Sequence, residues 1–380
     1  MNKPASFNSL AIGERVLEVP IVQGGMGVGI SMGELAGAVM SCGGMGTISA
    51  ADPGFNEPDY ESSPLQANLR ALAAEIRKAR VLSCGRGLLA VNIMVACSDY
   101  DELVKTAVEA GADAVVSGAG MPLGLPGIPG TENALLAPVV SSGRAARLII
   151  QKWERKFGRL PDFIVCEGPL AGGHLGFTRE ALDSGDVQSI DEIVTDVIAE
   201  VEKVAAPEEI PIVAAGGIMD RSDALRLFDL GAGAVQLGTR FIAARECDAS
   251  DGFIDAVLAA EEKDILFIKS PTGLPGRAVR TPLIEEAMIH RIPPKKCLCC
   301  LKKRDPATTP YCITKALINA QRGDTENGLV FCGARAGEVN RRTSVREIFD
   351  ELLEDQNSGA DKNAGVRTEV KNRGADDDGE

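Results

Sequence analysis

One side chain stands out as able to move or orient a proton. His174 is one of only two histidines in the chain and lies in the run Gly172-Gly173-His174-Leu175-Gly176, on no apolar helical face. An imidazole titrates near neutral pH, and flanking glycines let a ligand come close to it. Further glycine and polar groups recur directly after short apolar runs: Gln23-Gly24-Gly25-Met26, Asn92, Ser117-Gly118-Ala119-Gly120, Glu167-Gly168, Gly216-Gly217 and Gly238-Thr239. Glycines also make tight turns, but the same chemistry at six run ends points to one ligand. The last two groups suit a phosphate, which takes backbone N–H groups, a helix N-terminus and a hydroxyl together. His290, beside Arg291 and Pro293, reads as incidental.

The ten cysteines divide into two sets. Cys42, Cys84, Cys97, Cys166 and Cys247 are scattered singly in apolar surroundings and read as reduced core thiols. Cys297, Cys299, Cys300, Cys312 and Cys332 crowd one region. Cys297 and Cys300 have CxxC spacing, and Cys312 offers a third thiolate for zinc or an iron–sulfur cluster. A second clean CxxC is absent, so structural thiols are favoured and no metal is assigned. Lys295, Lys296, Lys302, Lys303 and Arg304 form a basic run that reads as a solvated face, with docking of an acidic partner as the alternative.

Positioning the strand-end residues requires a repeating scaffold. Eight apolar runs read as strands: those beginning at Val19, Gly44, Leu88, Asp113, Leu135, Asp162, Ile210 and Ala234. Several are apolar throughout, as strands buried on both faces should be. Helices are expected at 101–110, at 144–157 ending on Gly158, and at 222–230 with Ser222 as cap and Gly231 as stop. Eight β/α units are the count of a TIM barrel, favoured over an open doubly wound sheet. The barrel is expected over 10–252. A smaller, mostly helical substrate-side subdomain carrying the Cys-rich basic insert follows over 253–355, with helices at 253–262 and 314–322 and in the run SVREIFDELLE. A disordered acidic tail is expected over 356–380.

The 380 residues are 45% hydrophobic with a net charge of −14, which excludes overall disorder and argues against nucleic-acid binding. No run reaches about 18 apolar residues and the N-terminal stretch lacks an apolar signal core, so no membrane contact and a cytoplasmic location are expected.

The runs VPIVQGGMGVGIS, AVNIM, VVSGAG, CEGPLAGGHLGF, IPIVAAGGIMD and GAGAVQLGTRFIAARE resemble the nitronate monooxygenase (2-nitropropane dioxygenase) family, and equally its relatives, the flavin-dependent enoyl-acyl carrier protein reductases. The likeness runs from about residue 10 to 290 and returns weakly at NGLVFCGARAGEV. It implies a TIM barrel with non-covalent FMN. Gly25, Met26 and Asn92 would lie beside the ring, with Glu167, at a position often Gln, and Gly172. Gly217, Gln236, Leu237, Gly238 and Thr239 would hold the phosphate. His174 would be the catalytic residue, accepting or orienting a substrate proton.

Two functions follow from the resemblance: oxidation of a small alkyl nitronate by O2 to a carbonyl compound and nitrite, or NADH-driven reduction of an enoyl thioester on acyl carrier protein. A third reading is an interaction subunit whose barrel is no longer catalytic, against which the complete set of strand-end motifs counts. Gly333-Ala334 departs from the Gly-Gln that the reductases tend to carry. The oligomeric state is open, a homodimer included.

Overall fold

A computed structural model describes residues 7–354 apart from 207 and 304; the tail at 356–380 and Arg304 lie outside the described residues. Its strands are β1 (Leu10–Ile12), β2 (Arg15–Leu17), β3 (Ile21–Gln23), β4 (Met45–Ser49), β5 (Leu88–Met94), β6 (Ala114–Gly118), β7 (Leu135–Val140), β8 (Ile164–Glu167), β9 (Gly173–His174), β10 (Ile212–Ala215), β11 (Ala234–Leu237), β12 (Ile265–Lys269) and β13 (Pro275–Val279). Its helices are α1 (Gly33–Ser41), α2 (Pro64–Leu82), α3 (Tyr100–Glu109), α4 (Gly143–Phe157), α5 (Arg179–Ser184), α6 (Ile190–Val201), α7 (Arg221–Asp229), α8 (Thr239–Ile242), α9 (Asp251–Leu258), α10 (Pro282–Ile289), α11 (Ile313–Gln321) and α12 (Val345–Leu353).

Strands β3 to β8, β10 and β11 close a parallel barrel, with β11 pairing back onto β3. These are the eight runs expected from the sequence. Alternation along each strand decides which side chains enter the barrel. In β5, Leu88 and Ala90 pack inside while Leu89, Val91 and Ile93 face the helices. In β8, Val165 is inside and Ile164 and Cys166 are outside. The hairpin β1–β2 plugs the N-terminal end of the barrel, adding Ile12 and Leu17 to the interior cluster.

Helix ends correct one expected signal. Helix α7 is capped by Asp220, whose carboxylate accepts from Asp223 N at 3.0 Å, and Ser222 lies inside the first turn. The helix expected at 253–262 begins earlier and stops at Leu258, followed by a 3₁₀ turn. Cys84, expected in the core, is exposed with φ +53°.

The chain beyond α9 contains a feature the sequence did not show, the antiparallel hairpin β12–β13, whose second strand pairs with β9. Helix α12 then packs on α1, α7 and α8 and sends Val345, Ile348, Phe349 and Leu352 into the barrel–helix core. The Cys-rich run lies along the chain after β5: Cys97 bridges Leu301, and Ser98 N donates to Cys300 O at 3.0 Å. Two of its lysines have intramolecular partners, Lys296 at Glu61 and Lys302 over the Tyr100 ring. Among the described residues no three His, Cys, Asp or Glu side chains are grouped to hold a metal, so Cys297, Cys300 and Cys312 do not form the site their spacing allows. No helix among them is long and apolar enough to cross a membrane.

Helix α1, which follows the first glycine loop, starts on a borrowed cap. The Asp248 carboxylate, from the segment after α8, accepts from Met32 N (2.8 Å), Glu34 N (3.2 Å) and Leu35 N (3.2 Å). Asp248→Ala leaves those N–H groups without their acceptor and should cost about 1–3 kcal/mol in urea unfolding. An unchanged midpoint would contradict this role.

Candidate active site

The C-terminal ends of the barrel strands surround one cavity of about 230 Å³. Every site residue expected from the sequence lines it: Gly25, Met26, Asn92, Glu167, Gly172, His174, Gly217, Gln236, Leu237, Gly238 and Thr239. Strand alternation explains the floor. Asn92 follows Leu88 and Ala90 on the inner face of β5, Glu167 follows Val165 on β8, and Gln236 follows Ala234 on β11. Leu237 has the opposite parity. Its side chain is buried in the outer core, so only its backbone faces the cavity.

One end of the cavity is built for an anion. Gly216 and Gly217 have φ of +100° and +83°, and a Cβ on Gly217 would lie 2.8 Å from Leu170 Cβ. The N–H groups of Gly217 and Ile218 donate to no described protein group. Thr239 Oγ1 accepts from Gly333 N at 2.9 Å, which draws residues 330–335 over this end. Arg335 joins it, held by Asp223 (2.6 Å), Glu338 (2.6 Å) and the Gly217 carbonyl (2.9 Å). Arg335 also lines the cavity, whereas Ala334 does not; its N–H donates to Leu170 O. Arg335 was missed because only its GARAG context marks it.

The other end is organised around His174. Its backbone pairs with Gly276 of β13. Its Nε2 lies 2.7 Å from Ser270 Oγ, and its ring meets Phe331 edge-on with centroids 5.2 Å apart. Burial pushes the imidazole down to about 4, so it is neutral at pH 7. Arg277, on β13, donates to the Pro169 (2.7 Å) and Ala171 (2.5 Å) carbonyls and stacks on Phe267, pinning the loop that carries His174. The same loop passes so close to Cys332 and Gly333 that any Cβ on Gly172 would overlap the Cys332 carbonyl carbon. Ser270 and Arg277 carry no sequence motif, since their roles arise from contacts across about a hundred residues, and Phe331, within the quoted run NGLVFCGARAGEV, reaches His174 from still further along the chain.

The Glu167 carboxyl has no hydrogen-bond partner among the described protein groups and sits on the cavity floor. Burial pushes its carboxyl up to about 8, against the opposing pull of the Arg277 guanidinium. It is therefore largely protonated at neutral pH and offers both a donor and an acceptor.

A family model described as nitronate monooxygenase matches residues 9–355. Probable nitronate monooxygenases from Staphylococcus aureus strains Newman and USA300 are 34% identical over 129 residues, 33% of this chain and 33% of theirs. The alignment thus spans about a third of these curated relatives' length. Among solved structures, FabK from Thermotoga maritima is 27% identical with a TM-score of 0.68, covering 90% of this chain and 94% of its own. A nitroalkane oxidase from Streptomyces ansochromogenes, 21% identical, shares the fold with a TM-score of 0.65 over 88% and 94% of the two chains.

The raised Glu167 pKa has a signed consequence for stability. A carboxyl whose folded-state pKa lies above its unfolded value favours folding below about 4.5 and loses that contribution as pH rises through about 8. Glu167→Gln should therefore gain stability relative to the parent protein between pH 5 and pH 8.5, read by urea unfolding of the two proteins at each pH. A difference that does not change with pH would remove the buried-acid assignment.

Proposed function

The chain belongs to the nitronate monooxygenase family, and from that premise we propose that it is an FMN-dependent monooxygenase oxidising alkyl nitronates with dioxygen to carbonyl compounds and nitrite. The observation that carries this reading is the continuity of one cavity from the unpaired N–H groups after β10 to the clamped, neutral imidazole of His174.

The donor set fits FMN. Gly217 and Ile218 N–H, Gly238, the Thr239 hydroxyl and Arg335 suit the phosphate, with glycine leaving room for close backbone approach. Gly25 and Met26 offer a flat, largely apolar seat for the ring, while Asn92, Gln236 and protonated Glu167 supply hydrogen bonds to its polar edge. Bound there, the flavin would supply the redox chemistry, taking an electron from the nitronate and returning it to dioxygen. The protein's own work is positioning. Asn92 and Glu167 orient the ring, His174 orients the substrate's oxygen, and the apolar Met94, Val139, Leu317 and Phe331 exclude water from the reacting carbon. The free thiols agree with a cytoplasmic location.

The second reading is an FMN- and NADH-dependent enoyl-acyl carrier protein reductase, favoured by the coverage and TM-score of the likeness to FabK. Against it stands Ala334, which does not line the cavity, at the place where those reductases tend to carry glutamine.

Aerobic incubation with propyl nitronate and no nicotinamide should consume O2 and release nitrite. Failure of both with flavin-loaded protein would reject the reading. His174→Ala should keep its flavin and lose about a hundredfold or more in turnover, the scale of a lost proton-handling or hydrogen-bonding group. Gly217→Val, strained at φ +83° and driven into Leu170, should instead lose bound flavin. Full occupancy in that variant would contradict the phosphate site.

A further inference from the structure

The bond between His174 Nε2 and Ser270 Oγ, 2.7 Å, has a direction set by what else reaches that oxygen. Ser270 follows β12 at the turn of the hairpin and is buried. Two donors already point at its hydroxyl: Thr272 N at 3.3 Å and Thr272 Oγ1 at 3.1 Å. Thr272 Oγ1 in turn accepts from Leu274 N at 3.4 Å, so its own proton is free for Ser270. A hydroxyl has one proton and two lone pairs. With both lone pairs engaged by Thr272, the Ser270 proton is directed at His174 Nε2.

We propose that Ser270 is a positioning residue that holds His174 as its Nδ1–H tautomer, so that His174 presents a hydrogen-bond donor, not a base, to the substrate. Three further observations converge on this. Nδ1 has no hydrogen-bond partner among the described protein groups while the residue lines the cavity, so an Nδ1–H is satisfied only by what the cavity holds. The backbone pairing to Gly276 and the edge contact with Phe331 restrain the ring against flipping. Burial keeps the imidazole neutral, so Nε2 retains the lone pair that accepts from Ser270.

This inference rests on the nitronate reading and narrows its substrate class. A donor suits an oxygen that already carries negative charge, as in a nitronate, and helps that charge stay localised near the flavin ring. A neutral nitroalkane must first lose a proton from carbon, and it meets no free imidazole lone pair here. The substrates are therefore preformed nitronates.

The tautomer is read directly by long-range ¹H–¹⁵N NMR of flavin-loaded protein labelled with [¹⁵N]histidine. Only two imidazoles are present, and His290→Gln assigns them. At pH 7 His174 should show a protonated Nδ1 and a bare, hydrogen-bonded Nε2. Ser270→Ala should bring in the Nε2–H form, and Ser270→Thr should restore the parent spectrum. Thr272→Val removes one donor to Ser270 Oγ and should also populate Nε2–H, which keeps the test open if Ser270→Ala does not fold. Nε2–H in the parent protein, or an unchanged tautomer in Ser270→Ala or Thr272→Val, overturns the proposal.

A second measurement compares propyl nitronate with 1-nitropropane. The expected kcat/KM ratio is about a hundredfold or more in favour of the nitronate, the scale of a missing base, and comparable values overturn the donor role. The two readouts separate the two ideas. The expected spectrum with no turnover of either compound sinks the nitronate reading and leaves the tautomer standing. Nitronate turnover with an Nε2–H spectrum does the reverse.

Discussion

The site depends on a two-residue backbone pairing. Gly173 and His174 form β9, which pairs with Arg277 and Gly276 of β13. Without that ladder the loop after β8 is a glycine-rich excursion with little to fix it. With it, the loop becomes the edge of a three-stranded sheet, and the hairpin brings Ser270 and Arg277 to the places they occupy. Phe331 arrives by the same logic, since it bridges Ala278 on the edge of β13 that also carries β9, opposite β12. An imidazole that must meet a substrate held on a flavin needs this rigidity more than any particular pKa, because small misplacement is costly in rate.

The barrel supplies the complementary half. Its strands are short, buried on both faces and strictly alternating, so the last inward residue of each strand projects into the cavity with no freedom to do otherwise. Asn92, Glu167 and Gln236 are polar at positions where residues two or four places earlier are Leu, Ala or Val. Polar side chains at inward positions are expensive unless something in the cavity satisfies them, which is why they mark the ligand end. Glycine takes over where backbone itself must make contact, at Gly217 for an anion and at Gly172 for the packed segment around Cys332.

The legible and illegible parts of the molecule divide along the same physical line. The eight barrel strands were readable because buried parallel strands leave long apolar runs, and the glycine and polar residues after them stood where chain direction puts a barrel's site. The hairpin was not readable. PGRAV begins with proline and carries glycine and a buried arginine, so neither β propensity nor alternation marks it. Ser270, Arg277 and Phe331 act on His174 or its loop through contacts that join residues far apart in sequence, and a local pattern holds no trace of those. Leu237 lines the cavity, while strand parity turns its side chain into the core. Ser222 lost the cap of α7 to its neighbour Asp220, the better-placed of two good caps. The CxxC spacing left a metal site open as the less favoured reading; Cys300 packs against an apolar cluster and Cys297 is exposed.

The most direct test of the nitronate assignment is anaerobic mixing of the purified flavoprotein with either propyl nitronate or NADH, following the visible flavin band. Bleaching by the nitronate, with none by excess NADH, is the predicted result. Rapid bleaching by NADH and none by the nitronate contradicts it, and would make the cavity that of a nicotinamide-driven reductase.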